Sequence, residues 1–148
     1  MFTFKFKALL DYRKTVEERR HQEFLESRRT WEHEQEALRI YHKRWEACMA
    51  GWREAQKKAS YHVGADMYER YMLRLRAEIE KQVLRVKDAL SHMENKRAEL
   101  LKARKNKKSM ELLETKLLNE YLQEEADKER KFLDEIATQQ FNTKSSLT

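Results

Sequence analysis

Of the 148 residues, 39% are charged and 40% hydrophobic, with a mean hydropathy of −1.02, which suits solvated helices and excludes a compact globule with a large apolar centre. Thirty-two Lys and Arg against 26 Asp and Glu leave a mild net charge of +6, with the two signs interleaved over most of the chain as on solvated helix faces. A single cysteine, Cys48, excludes an internal disulfide framework and fits a reducing compartment.

The chain opens on Met1 to Lys7, too short an apolar run for a signal peptide. Nothing later approaches ~18 uninterrupted apolar residues, so no membrane insertion is expected and the reading is a cytosolic protein that can still sit on a membrane-bound partner. From about residue 6 the text becomes helical. Phe24, Trp31, Leu38, Trp45, Trp52 and Ala59 stand seven residues apart, in a chain with no proline and only two glycines. Two 3.5-residue turns return each such side chain to one face, so the row predicts a long helix whose apolar seam meets another helix. Gly51 lies inside this periodicity and reads as a helical glycine costing ~1 kcal/mol relative to alanine.

The first helix is expected over 6–59 and a hinge over 60–65, where Ser60 and Gly64 are cap candidates and Asp66 is a first-turn acid. The second helix is expected over 66–137. Its seam steps by three and four through Tyr68, Met72, Leu75, Ile79, Gln82, Val86, Ala89, Met93, Lys96, Leu100 and Ala103, weakens at Lys96 and Lys107, and resumes at Met110, Leu117 and Tyr121. A short turn makes antiparallel neighbours, so the fold class is all-α: a long antiparallel two-helix coiled-coil hairpin. Trp45 and Trp52 then fall near Met72 and Leu75, and Phe6, Leu10 and Val16 fall opposite 106–117. A second apolar stripe of Leu112, Leu113, Leu118, Leu122, Phe132, Leu133 and Ile136 belongs to the part of the longer helix that projects past its neighbour, where only another molecule can cover it. Residues 138–148 lack apolar periodicity and are expected to be a disordered tail.

No catalytic constellation or cofactor motif is visible. His21, His33, His42, His62 and His92 include no pair at i, i+4, two isolated glycines make no phosphate loop, and a two-helix structure has no dry cleft in which to raise a carboxyl pKa. Cys48 falls at a seam-type position and reads as a small buried apolar residue. Residues 96–108 hold seven bases against Glu99, whereas 123–137 hold six acids against three bases. The bases are spread around the helix without interleaved aromatics, so a solvated face or one that meets an acidic protein outweighs a nucleic-acid site.

Two segments carry a family resemblance. Phe4-Lys5-Phe6-Lys7-Ala8-Leu9-Leu10-Asp11-Tyr12-Arg13 with Glu17 and Glu18 resembles the start of FliJ proteins of the bacterial flagellar export apparatus. Lys108-Ser109-Met110-Glu111-Leu112-Leu113-Glu114, then Tyr121, Glu129 and Leu133-Asp134-Glu135-Ile136-Ala137, is similar to that family's C-terminal segment. The resemblance implies a non-enzymatic hairpin like the stalk subunit of rotary ATPases, at the cytoplasmic side of the inner membrane. It implies insertion into a hexameric export ATPase, activation of that ATPase, a link to the membrane export gate protein, and handling of export chaperones. On the residues that match, Leu38, Tyr41, Trp45, Tyr71 and Leu75 align with gate-contacting positions, although Trp45, Glu78 and Gln82 depart from the family pattern. Leu112, Leu113, Leu118, Leu122, Phe132, Leu133 and Ile136 are assigned to the ATPase. A stalk of a non-flagellar injection system has the same architecture, and a basic nucleic-acid-binding coiled coil or a generic scaffold is the reading from another class.

Overall fold

The computed structural model describes residues 1–58 and 61–147. Two helices account for nearly all of them: α1, Lys7–Gln56, and α2, Tyr61–Ser146. With no proline anywhere, neither helix meets a residue that would remove a backbone donor and break it. The α1 start is prepared by a turn in which the Lys7 amide donates to the Phe4 carbonyl at 3.3 Å and the Leu10 amide to the Phe6 carbonyl at 2.9 Å. Its end tightens into three-residue bonds, Lys57 to Glu54 and Lys58 to Ala55, both 3.2 Å, which satisfy carbonyls that the last turn leaves open. The helices pair antiparallel, as the seam predicts.

Three boundaries differ from the sequence reading. Ala59 and Ser60, the last seam position and a cap candidate, lie outside the described residues. Gly64 is not a break: α2 already runs from Tyr61, no described glycine has a positive φ, and Asp66 therefore falls beyond the first turn. The expected disordered tail is instead helical to Ser146. Loss of apolar periodicity removes a reason to pack, not a reason to be helical, and no glycine or proline follows Gly64. Thr138 and Thr143 donate their hydroxyls to the carbonyls of Asp134 and Gln139, each at 2.9 Å, which keeps these polar side chains within the helix's own backbone pattern.

The chain divides into two compact units. One comprises Glu18–Lys102. Along its α2 segment, Leu75, Gln82, Met93 and Leu100 are buried, and Met72, Ile79, Val86 and Ala89 are half-buried, so the three–four stepping is the seam. On its α1 segment the buried positions are Ser27 and Cys48, not the seven-residue row. Phe24, Trp31, Leu38, Trp45 and Trp52 are half-buried, because rings of that size flank two close helices more easily than they fit between them. At Gly51 the approach is close: a Cβ there would stand 3.0 Å from Cε1 of Tyr68. Gln82, 2% exposed, donates its amide to the Glu34 carbonyl at 2.9 Å and to the Glu34 carboxylate at 2.6 Å, so this polar seam position is satisfied across the pair. Where the seam carries Lys96, Glu23 answers from α1 at 3.4 Å, and Glu99 lies equally far from the ammonium. Arg20 bridges the same two carboxylates at 3.0 and 3.2 Å.

The other unit comprises Met1–Glu17 with Ala103–Thr148. Phe4, Leu10 and Ala103 are its buried apolar residues. Phe2 meets Tyr121 with ring centroids 5.6 Å apart, and Phe4 meets Phe6 edge-on at 5.8 Å. Phe4 is the buried ring here, while Phe6, which the sequence reading set opposite 106–117 with Leu10 and Val16, is 43% exposed. The second seam lysine is answered like the first: Lys107 pairs with Glu17 of α1, and Arg104 reaches the same carboxylate at 3.7 Å. The hydrogen bond to Glu17 raises the Lys107 pKa above its ordinary value. Past Tyr121, α2 runs on with no α1 residue left to oppose it within this unit.

Candidate interaction surfaces

The unopposed part of α2 offers the broadest apolar surface. Leu118, Leu122, Phe132, Leu133 and Ile136 recur at helical spacing on one face, and Glu125 and Glu129 stand on that same face. Leu122, Phe132 and Leu133 are each more than half exposed, Leu118 is exposed, and Ile136 is half-buried. Leu112 is also exposed but lies about a third of a turn away, and half-buried Leu113 borders the seam. Five of the seven residues assigned to the ATPase therefore share one stripe, while two do not. Phe141, 70% exposed, is a further exposed ring in the segment read as a tail, but five residues past Ile136 it lies more than a third of a turn off the stripe.

The five residues aligned with gate contacts do not line a single groove. Tyr71, 43% exposed, lines a groove of about 540 Å³ with Arg44, Ala47, Cys48, Gly64, Met67 and Tyr68. The Arg44 guanidinium also lies 5.6 Å from the centre of the half-buried Tyr41 ring, a stacking distance for a cation on an aromatic face. Trp45 lines a second groove of about 360 Å³ with Trp52, Met72 and Leu73. Leu38 borders a third with Val86, His42 and Arg39. Leu75 is only 4% exposed; it packs in the seam and presents no surface, since its three–four phase is that of the buried row. Met67 and Leu73, 75% and 69% exposed, are apolar rims of these grooves that the sequence reading did not single out; their position off the seam phase was the available sign. Cys48 is buried, and burial pushes its thiol pKa up, which makes it a packing residue and a poor nucleophile.

The basic stretch is largely committed within the protein. Lys96, Arg104 and Lys107 sit in the ion pairs described above, and Arg97 lies 5.6 Å from the centre of the Phe24 ring. Lys102, Lys105 and Lys108 remain as exposed charges. Among the described residues, no cluster of three or more His, Cys, Asp and Glu is placed to hold a metal ion, and no helix is long and apolar enough to cross a membrane.

Comparison with known proteins adds to this geometry. The family model of the flagellar FliJ protein matches residues 2–146. The solved structure of a YscO homologue from Chlamydia trachomatis superposes with a TM-score of 0.76 at 21% identity, covering 100% of both chains. That likeness is one of fold: a helical hairpin. No curated protein sequence matches the chain.

Proposed function

This chain belongs to the flagellar FliJ protein family, a component of a type III export apparatus, and from that premise we propose that it is the stalk of the export ATPase. Its unopposed α2 segment enters the ring of a hexameric export ATPase, promotes hydrolysis there, and the hairpin couples the ring to the membrane export gate protein. It performs no chemistry of its own; ATP is hydrolysed by the partner. It inserts into no bilayer, binds no nucleic acid, and works at the cytoplasmic side of the inner membrane, where it also handles export chaperones.

The observation that carries this reading is the apolar stripe of α2 past Tyr121, which the chain's own first helix does not cover. Burying one large apolar side chain of this kind contributes ~1.5–3 kcal/mol, so two or three such residues suffice to hold the segment in a ring. An aspartate in the stripe reverses the sign of that contribution. Leu122→Asp or Phe132→Asp is expected to abolish stimulation of the cognate ATPase while helix content measured by circular dichroism stays as in the wild type. Full stimulation by both variants would remove this surface from the contact.

A further inference from the structure

The unopposed stripe of α2 has a complementary face on the same molecule, and we propose that a second copy of this chain covers it in the free protein. The stripe is not purely apolar. Glu125 and Glu129 interrupt Leu122, Phe132 and Leu133 on one face, and residues 122–137 carry six acids against three bases. A purely apolar pocket would bury both carboxylates uncompensated, which is costly; the face that covers this stripe must bring cations among its apolar groups.

The leading segment of the chain is such a face. Phe6, Leu9 and Tyr12 recur at three-residue steps and are all exposed, at 43%, 39% and 58%. Residues 1–17 hold four bases against two acids, and one of those acids, Glu17, is already engaged by Lys107 and Arg104. Lys5, in the turn ahead of α1, and Arg13, on the helix, stand beside this apolar row in the sequence. Hydrogen bonds between a lysine or arginine and a carboxylate are the strong kind, and Glu125 and Glu129 of a second molecule supply the carboxylates.

Both faces belong to the unit of Met1–Glu17 with Ala103–Thr148, so the pairing needs no other part of the molecule. Within it, α2 runs past the point where Phe2 meets Tyr121. Two copies laid antiparallel with a two-fold axis beside Tyr121 set each copy's acidic stripe on the other's basic, apolar leading segment. The contact is isologous and closed, so both stripes are covered at once and no filament grows. Dimerisation hides the surface that the proposed function offers to the ring, and engagement by the ring then competes with it. The dimer itself is measured with this chain alone and stands or falls apart from the ATPase reading.

Sedimentation equilibrium of the full chain tests it. A monomer–dimer equilibrium is expected that shifts toward monomer as salt rises, because exposed charges are screened within a Debye length. Glu125→Lys with Glu129→Lys should give monomer, as should Lys5→Glu with Arg13→Glu, and an equimolar mixture of the two variants should regain the dimer, since each mismatched face then meets its opposite. Glu125 and Glu129 are both exposed, so their reversal leaves the hairpin intact and decides the matter alone if the Arg13 change lowers helix content. A wild-type chain that stays monomeric at the highest concentration and lowest salt overturns the proposal. So does a dimer that persists unchanged in the Glu125 and Glu129 double variant.

Discussion

Tyr68 lies over Gly51, and a methyl group at 51 would stand 3.0 Å from its Cε1. Two effects oppose each other there. Alanine relieves a helical glycine by about 1 kcal/mol, but the ring must move to admit the new atom. Gly51→Ala alone is therefore expected to leave the chemical-denaturation midpoint nearly unchanged. In a Tyr68→Ala background the same substitution should stabilise by about 1 kcal/mol, and the difference between the two backgrounds reads the contact. The charged positions respond to pH instead. The hydrogen bond donated by Arg20, and then the nearby Lys96, hold the Glu23 carboxyl below its ordinary value of 4.5. The folded state thus binds fewer protons at this site than the unfolded chain. Its contribution is full above pH 4.5 and lost as pH falls through the lower folded value. Melting temperature followed from neutral to acid pH should fall along that limb, and Glu23→Gln should flatten the fall.

The two helices show which patterns a sequence displays openly. The seam of α2 was legible because each position from Met72 to Leu100 is chosen by one neighbour at one spacing, and Gln82 and Lys96 hold their places by finding Glu34 and Glu23 opposite. On α1 the most conspicuous row, Phe24 to Trp52, is only half-buried, while Ser27 and Cys48 are buried. Ring size decides that outcome, and it emerges only when the partner backbone is present. The end of α2 was misread for the opposite reason, since helix continues through Thr138 and Phe141 wherever nothing breaks it. The candidate surfaces divided likewise: the stripe of Leu122, Phe132 and Leu133 could be read from spacing alone. The gate-aligned residues divide: Leu38, Tyr41 and Trp45 recur at helical spacing on α1 and Tyr71 is exposed on α2, but the seam takes Leu75. Helix alone and helix paired should differ in amide hydrogen exchange. Under conditions where the chain is monomeric, amides of α2 beyond residue 122 are expected to exchange far faster than those from Leu75 to Leu100, which only opening of the seam exposes. Equal protection over both stretches would contradict an unopposed segment.

For the molecule as a whole, a hairpin without a wide core puts its working groups on its flanks, so contacts with different partners can be separated by mutation. Tyr71 is exposed and lies off the buried row of α2, and Tyr41 is half-buried on the seven-residue spacing of Ser27 and Cys48. Tyr41→Ala with Tyr71→Ala is expected to weaken binding to the export gate protein, move the melting temperature by only a few degrees, and leave ATPase stimulation as in the wild type. A large loss of stability in this double variant would assign both rings to packing. The meeting of Phe2 with Tyr121 has a consequence of another kind, in the order of synthesis. The two rings come from opposite ends of the message, and at ~5–20 residues per second the first leaves the ribosome on the order of ten seconds before the second exists. Through that interval the aromatic leading segment has no ring to close on. Loop closure grows costlier with sequence separation, so pairs near the turn such as Gly51 and Tyr68 are available first, and the clasp of Phe2 on Tyr121 is the last to be made.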